Sequence, residues 1–548
     1  MADNDVIGKV TATESNPTTC TAVRFWVSND VIIRPFDIVQ IEHLKNSRTY
    51  AIVTDLQYIT DSKGHLSDFI SSDFGDIQAQ PQNERLGTTI ADAEILLNTK
   101  EIEMPIREGA MVRWADVEGI RKALGLEAFA APVPAGYFCM SNGTEVPIDL
   151  EASFLLGPEG AHLNIAGISG LATKTSYAMF LLAAIQQKMR EKVTVVIFNV
   201  KGHDLLAIDQ PNPDLAETAA AGWKRCGLEP IPFKDVTYLL PYSNKADQEY
   251  TCSHADRKIL KRHIEGGVTF NYYYDVESTR NRLSLLFSDV EDSSGTMESI
   301  IHALQEEFEG SWQTVKQKVR QKTDKGHAGD KTIPVQSWRK FRRHLETRVT
   351  GNDLFNDPSS NKAKRQKSVA DAIKGLKAGK ALVVDLEPLP DYLQCFVFGD
   401  VIRSLYEAKL GDNEHVRPED LGTIILFADE LNKYSPKASE NSQRSLTQHV
   451  LEITERGRSL GMILFGAEQF RSGVHDRVLG NCGTNVYGRT SPVEISKSGD
   501  YRFFNSAQKS ALTQLPKGSL LVQHAIFKTP LVKLIFPLPC YYQPKGKI

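Results

Sequence analysis

Short runs of β-branched and aromatic residues, separated by turn-forming residues, occupy the first 105 positions of the chain. The runs are divided by turn signals at Asn29-Asp30, Asn46-Ser47 and 61–64, and short strands at this close spacing are typical of a small barrel. Nothing in residues 1–105 looks catalytic. We therefore predict an N-terminal β-barrel that serves in docking, in capping an oligomer or as structure alone. Its predicted strands are 6–10, 21–27, 31–34, 37–41 and 50–53.

Apolar runs of a different kind recur later in the chain, where almost every position is hydrophobic. Such runs are typical of parallel strands that helices cover on both faces. Amphipathic or apolar segments of helical length separate them, so the pattern predicts an α/β fold with a parallel-rich sheet and right-handed crossovers. The predicted strands are 162–166, 192–200, 381–385, 423–427, 462–466, 484–489, 519–523 and 531–536, and the predicted helices are 177–184, 394–410 and 441–458.

These patterns divide the chain into parts. Residues 161–204 and 379–530 are predicted to form one α/β core, and the polar stretch between them, 205–378, reads as a helical insertion. Residues 106–160 are predicted to link the barrel to the core, with a helix within 107–124 and a rigid, proline-marked connector at 130–136. Residues 531–548 are the predicted C-terminal tail.

The small-residue loop between the predicted strand 162–166 and helix 177–184 has the layout of a phosphate cradle. Its backbone amides and the helix N-terminus attract phosphate, the lysine reaches the outer phosphates, and the next hydroxyl can bind Mg²⁺. The loop departs from GxxxxGK[ST], because it has one residue too many between Gly167 and Lys174 and carries Thr173 in place of the last glycine. The residues expected to bind ATP or GTP are Gly167, Gly170, Thr173, Lys174, Thr175 and Ser176.

A second phosphate-chemistry signal is the carboxylate pair Asp429-Glu430, which follows the apolar run 423–427. Carboxyl ends of parallel strands share one edge of a sheet, where ligands bind. Asp429 is predicted to hold Mg²⁺ through water, opposite Thr175 or Ser176. Glu430 is predicted to orient and polarise the attacking water.

Four further polar residues are candidates for the chemistry. Gln469 ends the next predicted strand, where it can sense the γ-phosphate or the water. Arg456 and Arg458 end the preceding helix, where they either complement the helix dipole or reach a neighbouring subunit's phosphate. Arg489 ends a later strand and is another arginine-finger candidate. The sequence does not rank the three arginines.

Two basic segments have open interpretations. Lys201 and Asp204, after the predicted strand 192–200, either assist at the nucleotide or form a solvated turn. The cluster 361–367 either touches phosphates or forms a solvated helix face, and the absence of interleaved aromatic residues favours the second.

Composition limits the function classes. The chain has 548 residues, 41% of them apolar, and a net charge of −4, so nucleic acid would have to bind through local basic surfaces. Seven scattered cysteines without metal-ligand spacing predict reduced thiols. The acidic N-terminus and the lack of a long apolar run predict no signal peptide and no membrane span, hence a cytoplasmic protein.

Taken in order, the motifs resemble those of the HerA/FtsK superfamily of ring ATPases, and of HerA-like proteins in particular. The N-terminal part looks like the HAS-barrel of that family. Segment 162–176 resembles its Walker A in the Ala-Thr-Lys-Thr form of some bacterial members, 427–433 resembles its Walker B, 455–469 its Glu-Gly-Arg…Ala-Thr-Gln segment, and 481–489 its Asn…Thr…Arg element.

In this match Arg458 takes the place of the family's arginine and Gln469 that of its strand-end glutamine. Leu431 and Asn432 replace the usual small residue and histidine after the Walker B carboxylates, and Glu468 replaces the usual threonine. The match is ordered along most of the chain, which makes it more specific than any single motif.

The resemblance implies a P-loop (RecA-like) ATPase core in a homo-hexameric ring that couples hydrolysis of ATP, with Mg²⁺, to helicase or translocase movement on double-stranded DNA in its pore. It also implies an effector partner, a nuclease or a sirtuin-like NADase, in anti-phage defence, and an arginine that completes a neighbouring subunit's site. The alternative is an ATP-regulated assembly scaffold that activates its effector with little helicase activity. A third interpretation, a secretion or conjugation ATPase, is disfavoured by the lack of a predicted membrane span and by the predicted barrel.

Overall fold

The computed structural model describes residues 6–62, 64–71, 74, 78, 86–168, 173–290, 295–307, 309–324, 333–412, 416–437 and 444–543. The N-terminal part is a closed antiparallel barrel in the order β1-β2-β5-β4-β3-β6. Its strands are β1 Val6–Thr11, β2 Ala22–Val27, β3 Ile38–His43, β4 Ser47–Thr60, β5 Gly87–Asn98 and β6 Met111–Trp114.

The structure confirms the predicted N-terminal β-barrel and corrects which residues form its strands. The predicted strand 31–34 has no strand geometry, and β5, which pairs with both β2 and β4, was not predicted. Strand β6 closes the barrel beyond the predicted boundary at 105. Inward-facing side chains such as Phe25, Val39 and Val112 form a core of their own.

The rest of the chain is organised around one large sheet. Its order is β13-β12-β11-β14-β10-β15-β16-β9-β17-β18-β19-β7-β8, parallel from β13 to β17 and antiparallel beyond. Its strands are β7 Pro132–Cys139, β8 Glu145–Glu151, β9 Leu163–Ala166, β10 Val193–Asn199, β11 Val236–Pro241, β12 Thr269–Tyr272, β13 Gln366–Lys367, β14 Ala381–Asp385, β15 Thr423–Ala428, β16 Met462–Glu468, β17 Thr484–Tyr487, β18 Ser519–His524 and β19 Val532–Ile535.

Helices cover both faces of this sheet, which confirms the predicted α/β class with a parallel-rich sheet. A π-helical turn, Ile453–Gly457, lies between the helices Arg444–Glu452 and Arg458–Leu460. The α-helices are α1 His65–Ser71, α2 Val117–Leu124, α3 Ala152–Leu155, α4 Lys174–Met189, α5 Glu217–Arg225, α6 Arg257–Glu265, α7 Val276–Arg280, α8 Leu283–Leu286, α9 Thr296–Glu307, α10 Trp312–Gln321, α11 Val335–Val349, α12 Val369–Lys374, α13 Asp391–Leu410, α14 Leu431–Tyr434, α15 Arg444–Glu452, α16 Arg458–Leu460, α17 Asp476–Gly480, α18 Pro492–Lys497 and α19 Ser506–Gln514.

The continuous apolar runs follow from burial on both faces. In β10, Val195 and Ile197 point into the core under α4, while Val196 and Phe198 point into the opposite core under α13. Because successive side chains of a strand alternate between faces, a strand covered on both sides exposes neither face to water and is mostly apolar. Its polar residues Thr194 and Asn199 are buried with hydrogen-bond partners. Every residue of β10 is buried.

The stretch 205–378 differs from the predicted helical insertion. It supplies helices, but it also adds β11, β12 and β13 to the sheet, with β11 directly against β14 of the core. These strands are only two to six residues long and stand between polar segments, so their pattern did not separate them from helix or loop.

Two other sequence interpretations are wrong. Residues 132–136 of the predicted connector 130–136 belong to β7, which pairs with β8 and β19 in the sheet. The basic cluster 361–367, favoured as a solvated helix face, forms a single 3₁₀ turn, Lys362–Lys364, followed by β13, and its contact with phosphates stays a prediction. There the ammonium of Lys367 lies 4.3 Å from the ring centroid of Phe270, and Arg365 donates to the backbone oxygen of Glu249 at 2.5 Å.

Candidate functional site

The predicted phosphate loop joins β9 to α4 at the carboxyl edge of the sheet. Gly167 leaves β9 with its amide bonded to the backbone oxygen of Glu468 at 3.2 Å, and a Cβ at this position would lie 3.2 Å from Cα of Gly488. The close backbone approach explains the glycine. Gly170, predicted to bind ATP, lies outside the described residues.

Helix α4 begins with the predicted ATP-binding residues. Lys174 is its first residue and is 9% exposed, and Thr173 and Ser176 are buried too. Twelve of the helix's 16 residues are buried, as expected for a helix that packs between the sheet and surrounding aromatic side chains. The packing fixes the direction of the helix, so its N-terminus and partial positive charge lie at the loop.

The two predicted magnesium-binding residues meet. The hydroxyl of Thr175 donates to Oδ2 of Asp429 at 2.9 Å. Asp429 directly follows β15, and β16 lies between β15 and the loop strand β9. Of the two hydroxyls considered in the sequence, Thr175 is therefore the one that contacts the carboxylate.

Oxygen donors of this kind fit Mg²⁺, which takes one or two protein ligands together with water and phosphate oxygens. Within the described ranges no three His, Cys, Asp or Glu side chains are grouped to bind a metal by themselves. Thr175 and Asp429 would thus hold the ion jointly with the nucleotide.

Glu430 occupies an unusual backbone conformation beside Asp429. Its φ is 56° and ψ is 47°, in the left-handed region, which is uncommon for a residue with a side chain. Its amide donates to Oδ1 of Asp429 at 2.9 Å. Lys201, which is exposed just after β10, lies within 3.8 Å of the Glu430 carboxylate. Asp204 is exposed too and begins a separate short helix.

Burial and charge act in opposite directions on Lys174. Burial lowers the pKa of its ammonium, whereas the carboxylates of Asp429, Glu468 and Glu430 raise it. The loop therefore presents a partly desolvated lysine among three carboxylates, and such a lysine is suited to bind the outer phosphates of a nucleotide.

The structure shows a polar network that the sequence analysis did not identify. Nδ2 of Asn164, in β9, donates to Oε2 of Glu468 at 2.9 Å, and Nη1 of Arg471 donates to Oδ1 of Asn164 at 2.6 Å. Arg471 also binds Asp500 at 2.6 Å. Gln469, predicted to sense the nucleotide, lies between Glu468 and Arg471 and is half-buried. No local motif marks these residues, since their partners are about 300 positions away in the chain.

The predicted arginines lie at opposite edges of the sheet. Arg489 follows β17, which is parallel to β9, and its backbone oxygen accepts from the amide of Ile168 in the loop. Arg456 and Arg458 precede β16, at the amino edge, and Arg458 donates to the backbone oxygen of Glu159 at 3.3 Å. A strand of seven residues separates the two edges by roughly 20 Å. All three side chains are exposed.

No protein-family model and no curated protein matches the chain. Among solved structures, it is similar to plasmid coupling protein TrwB in complex with ADP and Mg²⁺, at 12% identity and a TM-score of 0.42 over 70% of this chain and 87% of that one. VirB4 of Thermoanaerobacter pseudethanolicus aligns at 12% identity and a TM-score of 0.43 over 75% and 96%. ATPases 2 and 3 of EssC from Geobacillus thermodenitrificans align at 13% identity and a TM-score of 0.29 over 77% of this chain and 46% of that one. Similarity at this level does not identify a function, which depends on the chain's own residues.

No helix in the described part of the chain is both long and apolar enough to span a membrane.

Proposed function

We propose that this chain is an ATP-hydrolysing P-loop motor of the HerA/FtsK type. The observation that carries the proposal is the hydrogen bond between Thr175 and Asp429, which joins the N-terminus of α4 to the carboxyl end of β15. It places a hydroxyl, two carboxylates and the buried Lys174 around one point at the edge of a parallel sheet. This is the set of groups that phosphoryl transfer requires.

Each residue has a role in this proposal. The amides at the start of α4 and the ammonium of Lys174 bind the outer phosphates. Thr175 and Asp429 hold Mg²⁺, which when bound offsets charge on the phosphate oxygens. Glu430 orients the attacking water and accepts its proton, and Gln469, at the end of the neighbouring strand, helps to position that water.

The position of Arg456 and Arg458 supports an oligomer. Since they lie at the edge opposite the loop of their own subunit, an arginine finger from this segment has to serve a different subunit. We extend the proposal to a homo-hexameric ring that moves on double-stranded DNA through phosphate contacts in its pore. The resemblance described above also supports a nuclease or sirtuin-like NADase effector and a role in anti-phage defence.

A second candidate function is an ATP-regulated scaffold that assembles and activates an effector without DNA movement. Thr173, in the place of the usual loop glycine, favours it. The residue is buried, and its hydroxyl has no hydrogen-bond partner within the described ranges. A bulkier loop residue with an unsatisfied hydroxyl is consistent with slow turnover.

The test is the rate of ATP hydrolysis by the purified chain with and without duplex DNA. A motor hydrolyses ATP faster with duplex DNA than without it. Lys174→Ala is expected to abolish hydrolysis under both conditions. Lys188→Ala is the matched control, because Lys188 lies in the last turn of the same helix. Equal rates with and without DNA, together with no DNA binding, contradict the motor and favour the scaffold. Wild-type hydrolysis in Lys174→Ala contradicts the site itself.

A further inference from the structure

Arg458, the arginine-finger candidate at the amino edge of the sheet, rests on the segment 157–162 of its own subunit, between α3 and β9. Its Nη1 donates to the backbone oxygen of Glu159 at 3.3 Å. A Cβ on Gly157 would lie 3.5 Å from Cγ of Arg458, so the stem of the arginine lies against this glycine. The amide of Glu159 is held in turn by the backbone oxygen of Ser153 at 2.9 Å. The segment 157–162 therefore sets where the exposed end of Arg458 begins.

His162 ends this segment in an unusual setting. It is 1% exposed, and its φ of 65° lies in the left-handed region, which is uncommon for a residue with a side chain. Nδ1 of its ring accepts from the amide of Leu464 at 3.0 Å. The pairing of β9 with β16 begins at Leu163, opposite Phe465. The imidazole thus supplies an acceptor for the amide of Leu464 at the position before β9 begins.

The bond between His162 and Leu464 closes a ring of contacts around Arg458. Leu464 belongs to β16, which begins shortly after Arg458 in the chain. The segment that ends at His162 accepts from the guanidinium of Arg458. His162 therefore ties the strand that follows the arginine to the segment that binds its side chain, so the backbone and the tip of Arg458 are fixed relative to each other.

The π-helical turn Ile453–Gly457 stands directly before Arg458, and such turns recur at functional sites. A Cβ on Gly457 would lie 2.7 Å from the backbone oxygen of Met462, so the turn packs tightly against the start of β16. The ring of His162 lies beside the turn: burial lowers its pKa to about 4, the backbone of Thr454 raises it and the charge of Arg458 lowers it. A neutral imidazole is thus packed between β16 and the turn that presents the arginine.

We propose that His162 is a positioning residue that aims Arg458 at the nucleotide of the neighbouring subunit. The inference rests on the proposed ring and on Arg458 as the arginine that acts between subunits, and it deepens that proposal by naming the residue that holds the finger. His162 also begins the connection to β9, which ends at the phosphate loop of its own subunit. A role in that loop would affect the subunit's own site, whereas a role through Arg458 affects the next one.

The test is ATP hydrolysis and ADP binding by the full chain carrying His162→Leu. Hydrolysis by a uniform ring should fall by at least about ten-fold, as expected for a misplaced catalytic group. The Kd of a fluorescent ADP derivative with Mg²⁺ should change by less than about two-fold, because the chemistry and not the subunit's own binding is affected. Mixing with Glu430→Gln subunits should restore part of the rate, since some sites then combine an intact Glu430 with an intact His162 from the neighbour.

Two further substitutions test the bond to Leu464 itself. In His162→Asn the amide oxygen takes the place of Nδ1, and asparagine tolerates the left-handed backbone, so this variant should hydrolyse ATP faster than His162→Leu. In His162→Gln the oxygen lies one bond farther out, so the bond is lost and the defect of the leucine variant should appear. If His162→Leu does not fold, judged by its melting temperature, the glutamine and asparagine variants carry the comparison.

His263→Leu is the matched control. His263 is also buried, but its ring binds the carboxylate of Asp209 at 3.0 Å and lies in α6. The same substitution there should leave hydrolysis per folded chain unchanged.

The outcomes separate this inference from the proposed function. If Arg458→Ala is itself not restored by Glu430→Gln subunits, the finger assignment fails and the inference fails with it. If Arg458→Ala is restored, a folded His162→Leu that hydrolyses ATP at the wild-type rate overturns only the inference. So does a folded His162→Leu that binds ADP weakly and regains nothing on mixing, because it places the role of His162 in its own subunit's phosphate loop.

Discussion

The backbone oxygen of Arg489 accepts a hydrogen bond from the amide of Ile168 at 2.8 Å, so this arginine starts beside the phosphate loop of its own subunit. Its side chain donates to the backbone oxygen of Thr513 at 2.9 Å and is exposed. Arg458 lies at the other edge of the sheet. Arg489 therefore lies near the nucleotide site of its own subunit, whereas Arg458 could reach only that of a neighbour. Mixing variant subunits distinguishes the two arrangements.

Arg458→Ala is predicted to abolish hydrolysis in a uniform ring and to regain part of it when mixed with Glu430→Gln subunits. In the mixed ring, some sites combine an intact Glu430 with an intact Arg458 from the neighbour. The measurement is the ATPase rate at several mixing ratios, with Arg456→Ala mixed in the same way. If mixing restores no activity, Arg458 is not the residue that acts between subunits.

Arg489→Ala is predicted to reduce hydrolysis without being rescued by Glu430→Gln subunits. Because Arg489 and Glu430 lie at the same edge of one subunit, no site in that mixed ring contains both groups. The ATPase rate per subunit should therefore stay at the average of the rates of the two uniform rings, weighted by the mixing ratio. A rate above that average would place Arg489 in a neighbour's site and contradict its assignment here.

Glu430→Gln is predicted to lower kcat by roughly 10²-fold or more while ATP binding persists, because the amide can hold water but cannot accept its proton. The measurements are the single-turnover hydrolysis rate and the nucleotide Kd. Glu419→Gln is the matched control: Glu419 is exposed at the opposite end of the same strand β15. A large loss of ATP binding in Glu430→Gln would point to a structural role instead.

Asp429→Asn is predicted to raise the Mg²⁺ concentration needed for half-maximal hydrolysis by roughly 10- to 100-fold, since the amide is a poorer partner for a metal and its water. Thr175→Val should act in the same direction. Thr347→Val is a suitable control, as Thr347 is exposed on α11 and its hydroxyl donates to the backbone of Arg343. An unchanged Mg²⁺ requirement in both site variants would contradict the assigned metal position.

Asp385→Asn is predicted to stabilise the fold at neutral pH. Asp385 is 0% exposed and accepts from Ser253 and Asn199, and burial raises its pKa to about 6. A raised folded pKa gives a contribution to stability that is present below the unfolded value and lost as pH rises through the folded one. The advantage of asparagine should therefore grow between pH 5 and 7.5 by about 1.4 kcal/mol.

Urea denaturation at the two pH values measures this advantage. The control is Asp247→Asn at an exposed turn, which should give no pH-dependent difference from wild type. An Asp385→Asn advantage that is equal at both pH values would mean that the carboxyl does not titrate in this range.

Much of the site was predictable because parallel strands end at a common edge. Lys174, Asp429, Glu430 and Gln469 each follow a run of apolar residues, and the runs alone place them together. The sequence could not choose between Thr175 and Ser176, because the choice depends on which helical residue faces β15.

The network of Asn164, Glu468 and Arg471 has no local signal either. Asn164 lies within an apolar strand, where a polar residue is tolerated only because two distant side chains satisfy its amide. The strands β11, β12 and β13 have no clear local signal for a related reason. Short strands gain their stability from neighbours in the sheet rather than from their own pattern.

The sequence by itself determined the α/β class and the barrel before it, and it predicted the residues of the proposed phosphate site, because these depend on periodicity and on strand ends that recur locally. The tertiary structure alone decided the strand order, the edge on which each arginine stands and the partner of each buried polar group. These depend on contacts between positions hundreds of residues apart, such as Thr175 with Asp429 across 254 residues, and no local pattern encodes them.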